Sequence, residues 1–473
     1  MSHSLVFDIG KTHAKALVFD AGLNCVHRAQ RASEVVDGAP YPHLDVNRLW
    51  AWMLESMRDA AARFRIGRLN VATHGATAAL VDPMLGEDGL VLPVLDYEFD
   101  GPARVTGYDA LRPAFAETLS PALPAGLNLG RQLWWQQQCF PAEFAHAGAI
   151  LMYPQYWNWR LSGALAGECT SLGCHTDLWA PRERGYSSLV RSQAWSAKLP
   201  RVVSPWVSPA PLREVIARAT GLPGDCAVYT GVHDSNAGFA RHLRAAQGRP
   251  FVLVSTGTWV VCMASAGSAQ GLDPARDMLA NVDVNGDPVA CARFMGGREY
   301  ARICELTGSD AAQPVTLDQL QATVDTGILA LPDFSGGSGP CTGREGRITG
   351  QPAHGAALAT LYLALMIELE LELLDAPGEV LIEGAFAANP LLCALVATLC
   401  AQPVYLSGAT DATALGAAML CDWHREPESA PRERCEPCAV RALEAYRARW
   451  REGLASADRA VPETRTAIGA ERE

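Results

Sequence analysis

Asp234 is the side chain in this 473-residue sequence best placed to do chemistry. It follows residues 226–230, a short apolar run bounded by glycines that reads as a strand buried on both faces, and it precedes small residues, 235–239, that can open a helix. That order sets one carboxylate at the carboxyl end of a buried strand, where open α/β sheets place their ligands. The positive end of a helix dipole favours a carboxylate there, and such a group can accept a proton from a hydroxyl. An aspartate in this setting is more commonly a plain helix cap, so other segments must decide between the two readings.

Two further segments have the makings of phosphate sites. Residues 5–9 and 14–19 are apolar runs around a Gly10-Lys11-Thr12 turn. Backbone N–H groups of such a turn, with Lys11 and Thr12 beside them, can surround phosphate oxygens, and Asp8 points from its strand end to the same place, where it could hold Mg²⁺ through water. The spacing is not that of a P-loop, and taken alone the turn is more often an ordinary hairpin. Residues 251–263 repeat the device, strand, Ser255-Thr256-Gly257-Thr258, strand. Two such hairpins half a chain apart suggest a duplicated fold whose halves each offer a phosphate-binding turn to one cleft.

Most of residues 4–422 resembles the FGGY carbohydrate kinases, within the superfamily of sugar kinases, actin and chaperone ATPases. The stretch 212–236, where Ala219-Thr220-Gly221-Leu222-Pro223-Gly224 leads to Gly231-Val232-His233-Asp234, is similar to the family's catalytic strand. Residues 8–15 resemble its first phosphate motif and residues 255–259 its second; Gly257-Thr258-Trp259 with His233-Asp234 is closest to the rhamnulose and fuculose kinase branch. Residues 383–392 resemble the adenosine motif, and residues 411–418 the helix that closes the nucleotide site. The resemblance implies an α/β fold of two ribonuclease-H-like domains, of actin and hexokinase type, with a nucleotide and sugar cleft between them. It further implies ATP and Mg²⁺, with Asp234 as general base, Asp8 at the metal, and Lys11, Thr12, Lys15, Gly257, Thr258, Gly384 and Asn389 at the nucleotide. Two places depart from the pattern: Glu383, Ala385 and Phe386 surround a single Gly384 where the family carries consecutive glycines, and residues 336–347 match its Gly-rich signature only loosely.

Sugar contacts are expected mainly from the first domain. His74 and Gly75 form a turn after the strand at 71–73, Asp96 can accept from two neighbouring hydroxyls, and Gln155 and Tyr156 sit in the aromatic segment 152–163. His233 would help place the hydroxyl, and Arg293 would reach in from the second domain. For His74, a structural hydrogen bond and a sugar contact are equal readings; for Asp96 the alternative is a cap, and most of the aromatics are packing. Residues 168–179 fit a strand lining the cleft.

Length and composition agree with this. A chain of 473 residues is too long for one hydrophobic core, and the Ala245-Ala246-Gln247-Gly248-Arg249-Pro250 segment reads as a hinge. The expected domains are 1–245 for sugar and catalysis, 246–424 for nucleotide, and 425–473 as a C-terminal helix and flexible tail. Asp45 can cap a helix whose Leu49, Trp52, Met53, Met57, Ala60 and Phe64 share one face; Val440, Leu443, Tyr446, Trp450 and Leu454 mark a last helix, with disorder expected after about 458. The net charge of −12 argues against nucleic acid, and the 14 cysteines, mostly in apolar runs, read as reduced core thiols, Cys435 and Cys438 included, without zinc. The amino terminus enters a strand directly and the most apolar segment, 356–374, is interrupted by Glu368, Glu370 and Glu372, so a cytoplasmic protein off the membrane is expected.

The expected reaction is phosphoryl transfer from MgATP to a primary hydroxyl of a ketose, L-rhamnulose or L-fuculose being favoured by the branch resemblance. L-Ribulose, xylulose and a polyol such as glycerol remain open, as do a non-kinase ATPase and a silent sugar sensor of the same superfamily. The partners are the sugar and MgATP, and a homodimer is one open state of assembly.

Overall fold

The computed structural model describes residues 2–408, 410–426 and 432–458; the tail expected after about 458 lies outside them. In the first half of the chain, β1 (His3–Ile9), β2 (His13–Phe19) and β3 (Cys25–Ala32) form an antiparallel meander. Helix α1 (Val46–Arg63) then leads to β4 (Ile66–Thr73), which lies parallel to β1 on its other side. Helix α2 (Tyr153–Ser162) precedes two short strands, β5 (Ala227–Val228) and β6 (Val232–His233), both parallel to β4, and helix α3 (Asp234–Ala246) follows.

The second half repeats that plan. β7 (Phe251–Thr256) and β8 (Val260–Ala264) are the hairpin, and β9 (Met278–Val282) and β10 (Pro288–Phe294) extend it, with β10 against β8 and β9 at the edge. After α4 (Gly355–Leu374), β11 (Glu379–Gly384) returns parallel to β7. Helix α5 (Pro390–Leu399), β12 (Val404–Ser407), parallel to β11, helix α6 (Ala412–Leu420), the edge strand β13 (Arg432–Arg434) and helix α7 (Leu443–Asp458) complete the described chain. Each half thus has a sheet of seven strands in which an antiparallel hairpin is continued by parallel strands.

The central strands are apolar on both sides because both faces are covered. In β1, Leu5, Phe7 and Ile9 face α1 and α2, while Val6 faces α3 and α6. Asp45 caps α1 by accepting the Arg48 N–H at 3.0 Å, and Leu49, Met53, Met57 and Ala60 form its buried stripe, with Trp52 and Phe64 half-buried. In the second sheet, Val252 and Val254 face the core built from α4, α5 and α7, and Phe251 and Leu253 face Phe239 and Ala246 of α3. Val440, Leu443, Tyr446, Trp450 and Leu454 are all buried there, and the Trp450 indole N–H donates to the Ala330 carbonyl at 2.8 Å.

Helices α3 and α6 therefore lie between the two sheets. Their crossing is close: a Cβ on Gly416 would collide with the Ala237 carbonyl. Although α6 follows the second sheet in sequence, it docks on the first, where Asn70 Nδ2 donates to the Ala417 carbonyl at 2.8 Å and the Tyr229 hydroxyl to Cys421 O at 2.6 Å. All fourteen cysteines are unbridged. Among the described residues no helix is long and apolar enough to cross a membrane, and no group of three His, Cys, Asp or Glu could hold a metal.

Within α4, Glu370 is fully buried and neither carboxyl oxygen has a hydrogen-bond partner. Burial, then the charge of Asp277, push its carboxyl well above the ordinary 4.5, so the folded chain holds a proton that the unfolded chain releases. The stability this group contributes is therefore greatest below about 4.5 and is lost as pH rises toward the folded value. Glu370→Gln is expected to raise the midpoint of thermal unfolding at pH 8 and to raise it less at pH 5, a comparison that differential scanning calorimetry makes directly.

Candidate active site

The register of three parallel strands builds the site. Ile9 of β1, Thr73 of β4 and His233 of β6 stand side by side, so the chain leaves the sheet at one level through Gly10, His74 and Asp234. Asp234 is the first residue of α3, with its side chain 29% exposed. Its Oδ1 accepts the Ser235 N–H at 2.6 Å and lies 3.2 Å from His233 Nε2; every described hydrogen bond of this carboxylate falls on Oδ1. A plain cap would instead accept from the N–H two or three residues on.

His233 is buried, and burial holds its imidazole below the ordinary range, hence neutral. With a proton on Nε2, assigned from the neighbouring acceptor, it donates to Asp234; Cys174 Sγ is 3.3 Å from the same nitrogen. The His233 backbone N–H donates to Thr170 Oγ1 at 3.1 Å, and the Thr170 hydroxyl donates to Glu168 at 2.6 Å. Glu168, wholly buried, also accepts the Thr170 and Ser171 N–H groups at 2.7 and 3.2 Å. This cap corrects the expectation of a strand over 168–179: residues Cys169–Leu172 are a helical turn, and only Trp179–Ala180 is strand. Thr170 and Glu168 are positioning residues that sequence reasoning missed; the sole signal was a Glu-x-Thr-Ser cap pattern without apolar periodicity.

Gln155 is buried, and its Nε2 donates to the Thr230 and Gly231 carbonyls, both at 3.2 Å, at the break between β5 and β6, while its Oε1 has no hydrogen-bond partner. Gly231 has φ +89° there, and a Cβ on it would press on Pro154 at 2.8 Å. Tyr156 is buried too.

His74 is held by its own turn, Nδ1 lying 3.0 Å from the Gly75 carbonyl, with ring contacts to Tyr97 and Tyr153. Burial first, and then the nearby charge of Lys11, keep the imidazole neutral against the pull of Asp234. Gly75 leaves room that a Cβ would take from His233 Nε2, 3.0 Å away, and from Cys174 Sγ, 3.1 Å away. Lys11, expected at phosphate, is drawn instead to the residues expected at the sugar: its ammonium pairs with Asp96, lies 3.3 Å from Glu98, and sits 4.7 Å from the Tyr97 ring centre. Two carboxylates and a π face outweigh an open turn for a flexible cation. The Thr12 hydroxyl is 3.1 Å from His13 Nδ1 at the exposed tip.

Asp8 is half-buried near Asp234, and its carboxyl is pushed up to about 7 by desolvation first and by the Asp234 charge second, with Lys15 opposing. Lys15 in turn pairs with Asp411 at 3.1 Å, and Asp411 also pairs with Arg28, tying the first hairpin to the start of α6. Carboxylate oxygens of this kind are what Mg²⁺ takes from a protein, and Asp411 is also near enough for its charge to raise Asp8.

Across the cleft, Thr256 of β7 and Gly384 of β11 are register partners, so the Gly257-Thr258 turn and the Ala385 turn also leave at one level. Thr256 Oγ1 donates to the Glu383 carbonyl at 2.5 Å and accepts the Phe386 N–H at 3.0 Å. Gly257 N–H donates to Trp259 O at 2.9 Å, leaving Thr258 exposed. Gly384 has φ +92°, and any Cβ would collide with the Thr256 carbonyl. Asn389 caps α5, its Oδ1 accepting the Leu392 N–H at 3.1 Å. Arg293 faces the first lobe closely enough for its charge to act on His175 and Cys174, but it is already engaged, with Nε and Nη2 both 3.1 Å from Asp277 Oδ1.

Paired seven-stranded sheets, each with an antiparallel hairpin continued by parallel strands, and a carboxylate at a helix start define a two-lobed phosphotransferase. Residues 248–430 match the family description "Carbohydrate kinase FGGY, C-terminal domain". A carbohydrate kinase from Novosphingobium aromaticivorans is 33% identical, with a TM-score of 0.88 over 97% of this chain and 100% of that one. Ligand-bound xylulose kinase from Lactobacillus acidophilus (14% identity, TM-score 0.78, 97% of each chain) shares the fold. So does Plasmodium falciparum glycerol kinase with ADP (12% identity, TM-score 0.76, 97% of this chain and 98% of that one). The chain belongs to the FGGY carbohydrate kinase family, ATP-dependent phosphotransferases.

Thr170→Val removes the acceptor of the buried His233 N–H and one donor to Glu168. It is expected to lower stability by about 1–3 kcal/mol in urea unfolding, with Thr170→Ser close to the parent.

Proposed function

We propose that the chain transfers the γ-phosphoryl group of MgATP to a primary hydroxyl of a neutral ketose, with Asp234 as general base. The observation that carries this is the Asp234 carboxylate itself, held through Oδ1 by Ser235 and His233 where three strands end. In the reaction the hydroxyl oxygen attacks the γ-phosphorus, its bond to the β-bridging oxygen breaks, ADP leaves, and the hydroxyl proton passes to Asp234. The transition state is loose, so positioning and charge neutralisation do most of the work.

Lys15 and the turns at Gly10-Lys11-Thr12 and Gly257-Thr258 would supply donors to the phosphates, with Gly384 letting the chain turn at the nucleotide side. Asp8 would hold Mg²⁺, which when bound neutralises phosphate oxygens. His74, Gly75 and Asp96 line the sugar side. The cations there, Lys11 and Arg293, already face carboxylates of Asp96, Glu98 and Asp277, which supports a neutral polyhydroxy substrate over a sugar acid. Among neutral sugars, the Gly257-Thr258-Trp259 and His233-Asp234 resemblance favours L-rhamnulose or L-fuculose. The lobes would divide near residues 245–250, where Gln247 and Gly248 both take positive φ and a Cβ on Gly248 would meet nothing. Closure there would exclude water from the γ-phosphate.

A coupled ADP-release assay with MgATP tests this against L-rhamnulose, L-fuculose, L-ribulose, both xyluloses, glycerol, gluconate and no sugar. Turnover is expected to require a neutral sugar, to be absent with gluconate, and to fall about 10²- to 10⁴-fold in Asp234→Asn. Sugar-independent ADP release, or full turnover in Asp234→Asn, contradicts the proposal. Asp8→Asn is expected to raise the Mg²⁺ concentration needed for half-maximal turnover.

A further inference from the structure

We infer that Glu383 is a positioning residue that transmits nucleotide occupancy in the second lobe to the helix that begins with Asp234. The inference rests on the kinase reading above. Glu383 is the penultimate residue of β11, and its side chain is buried against α3 instead of facing the cleft. Its Oε2 accepts from Arg241 Nη2 at 2.7 Å and lies 3.0 Å from His242 Nε2, while the same Arg241 nitrogen donates to Ser407 Oγ at 2.9 Å at the end of β12. Burial works to raise this carboxyl, but His242 and Arg241 outweigh it and hold the group below its ordinary range. Burial also keeps His242 below the ordinary imidazole range, so the cluster is one carboxylate facing one guanidinium through a neutral ring.

The backbone of the same residue reaches the other way. The Glu383 carbonyl accepts the Thr256 hydroxyl, and Thr256 accepts the Phe386 N–H, so the two turns on the nucleotide side of the second lobe are joined at Glu383. Gly384, next in the chain, is the register partner of Thr256 and lies so close to its carbonyl that a Cβ would collide with it. A movement of those turns therefore acts on the stretch of backbone that carries the Glu383 side chain.

The grip on α3 falls at residues 241 and 242, seven to eight residues from Asp234, or about 10–12 Å along the helix. The other contacts between α3 and the second sheet are apolar, Phe239 and Ala246 against Phe251 and Leu253, and apolar surfaces can slide. A buried carboxylate–guanidinium pair cannot, since separating it leaves a charge without a partner in a low dielectric. The pair is thus a directional link between α3 and the second sheet.

Amide hydrogen exchange on the full chain, with and without AMP-PNP and Mg²⁺, tests the link. In the parent protein the peptide spanning residues 239–247, remote from the phosphate turns, is expected to exchange about fivefold slower or more when nucleotide is bound, the lower end of ordinary coupling between sites. In Glu383→Gln, nucleotide is expected still to bind by calorimetry, while the slowing at 239–247 disappears. A role in stability alone would change exchange equally with and without nucleotide, so the nucleotide-dependent difference is the decisive quantity. If that difference is absent in the parent, or persists in Glu383→Gln, the inference is overturned. Should Glu383→Gln fail to fold, the double variant Glu383→Gln with Arg241→Gln, which removes both charges and leaves neither unpaired, reads the same difference with the same two outcomes. Failure of the parent to bind AMP-PNP at all would instead overturn the kinase reading.

Discussion

The close crossing of α3 and α6 is the contact on which the rest of the molecule depends. Two sheets can share a cleft only if the layer between them is thin, and here that layer is two helices whose contact surfaces are alanine and glycine, with Gly416 against the Ala237 carbonyl. Each helix starts at the cleft, α3 with Asp234 and α6 directly after Asp411. Each packs on a sheet from the other half of the chain: α6 on β1, β2, β4 and β6, α3 on β7 and β8. The lobes are consequently interlocked at the bottom of the cleft, and the acidic groups of the site stand on the interlocking parts.

The electrostatics of the cleft follow from that arrangement. Asp8 and Asp234 come together because their strands are in register with a common neighbour, β4, and their mutual repulsion adds to burial in raising Asp8 to about 7. The cations are not free counterweights: Lys11, Lys15 and Arg293 are each matched to carboxylates on other segments. Neutral imidazoles at His74 and His233 add hydrogen-bonding capacity without adding charge.

Much of the architecture was legible in the sequence because it is written in short-range patterns. The apolar runs on either side of Gly10-Lys11-Thr12 and Gly257-Thr258, the Asp45 cap with its buried stripe, and the last helix with Trp450 at its core all depend on residues within a few positions of one another. The strand-to-helix passage at His233-Asp234 was readable for the same reason. Residues 168–179 were misjudged because the cap made by Glu168 depends on a carboxylate being fully enclosed, which local pattern does not reveal. The backbone partners of Gln155 and Asn389 were not legible, because an amide that serves a backbone and one that faces a ligand look alike in sequence.

By itself, then, the sequence determined where strands and helices begin, that the chain carries the same hairpin device twice, and that a lone carboxylate stands at a strand end. Only the tertiary structure decided the partners. Lys11 meets Asp96 across 85 residues, Thr170 meets His233 across 63, Arg241 meets Glu383 across 142, and Lys15 meets Asp411 across 396. The strength of each pairing comes from the low dielectric and fixed geometry of the packed interior, and neither exists until the sheets and the helices between them have assembled.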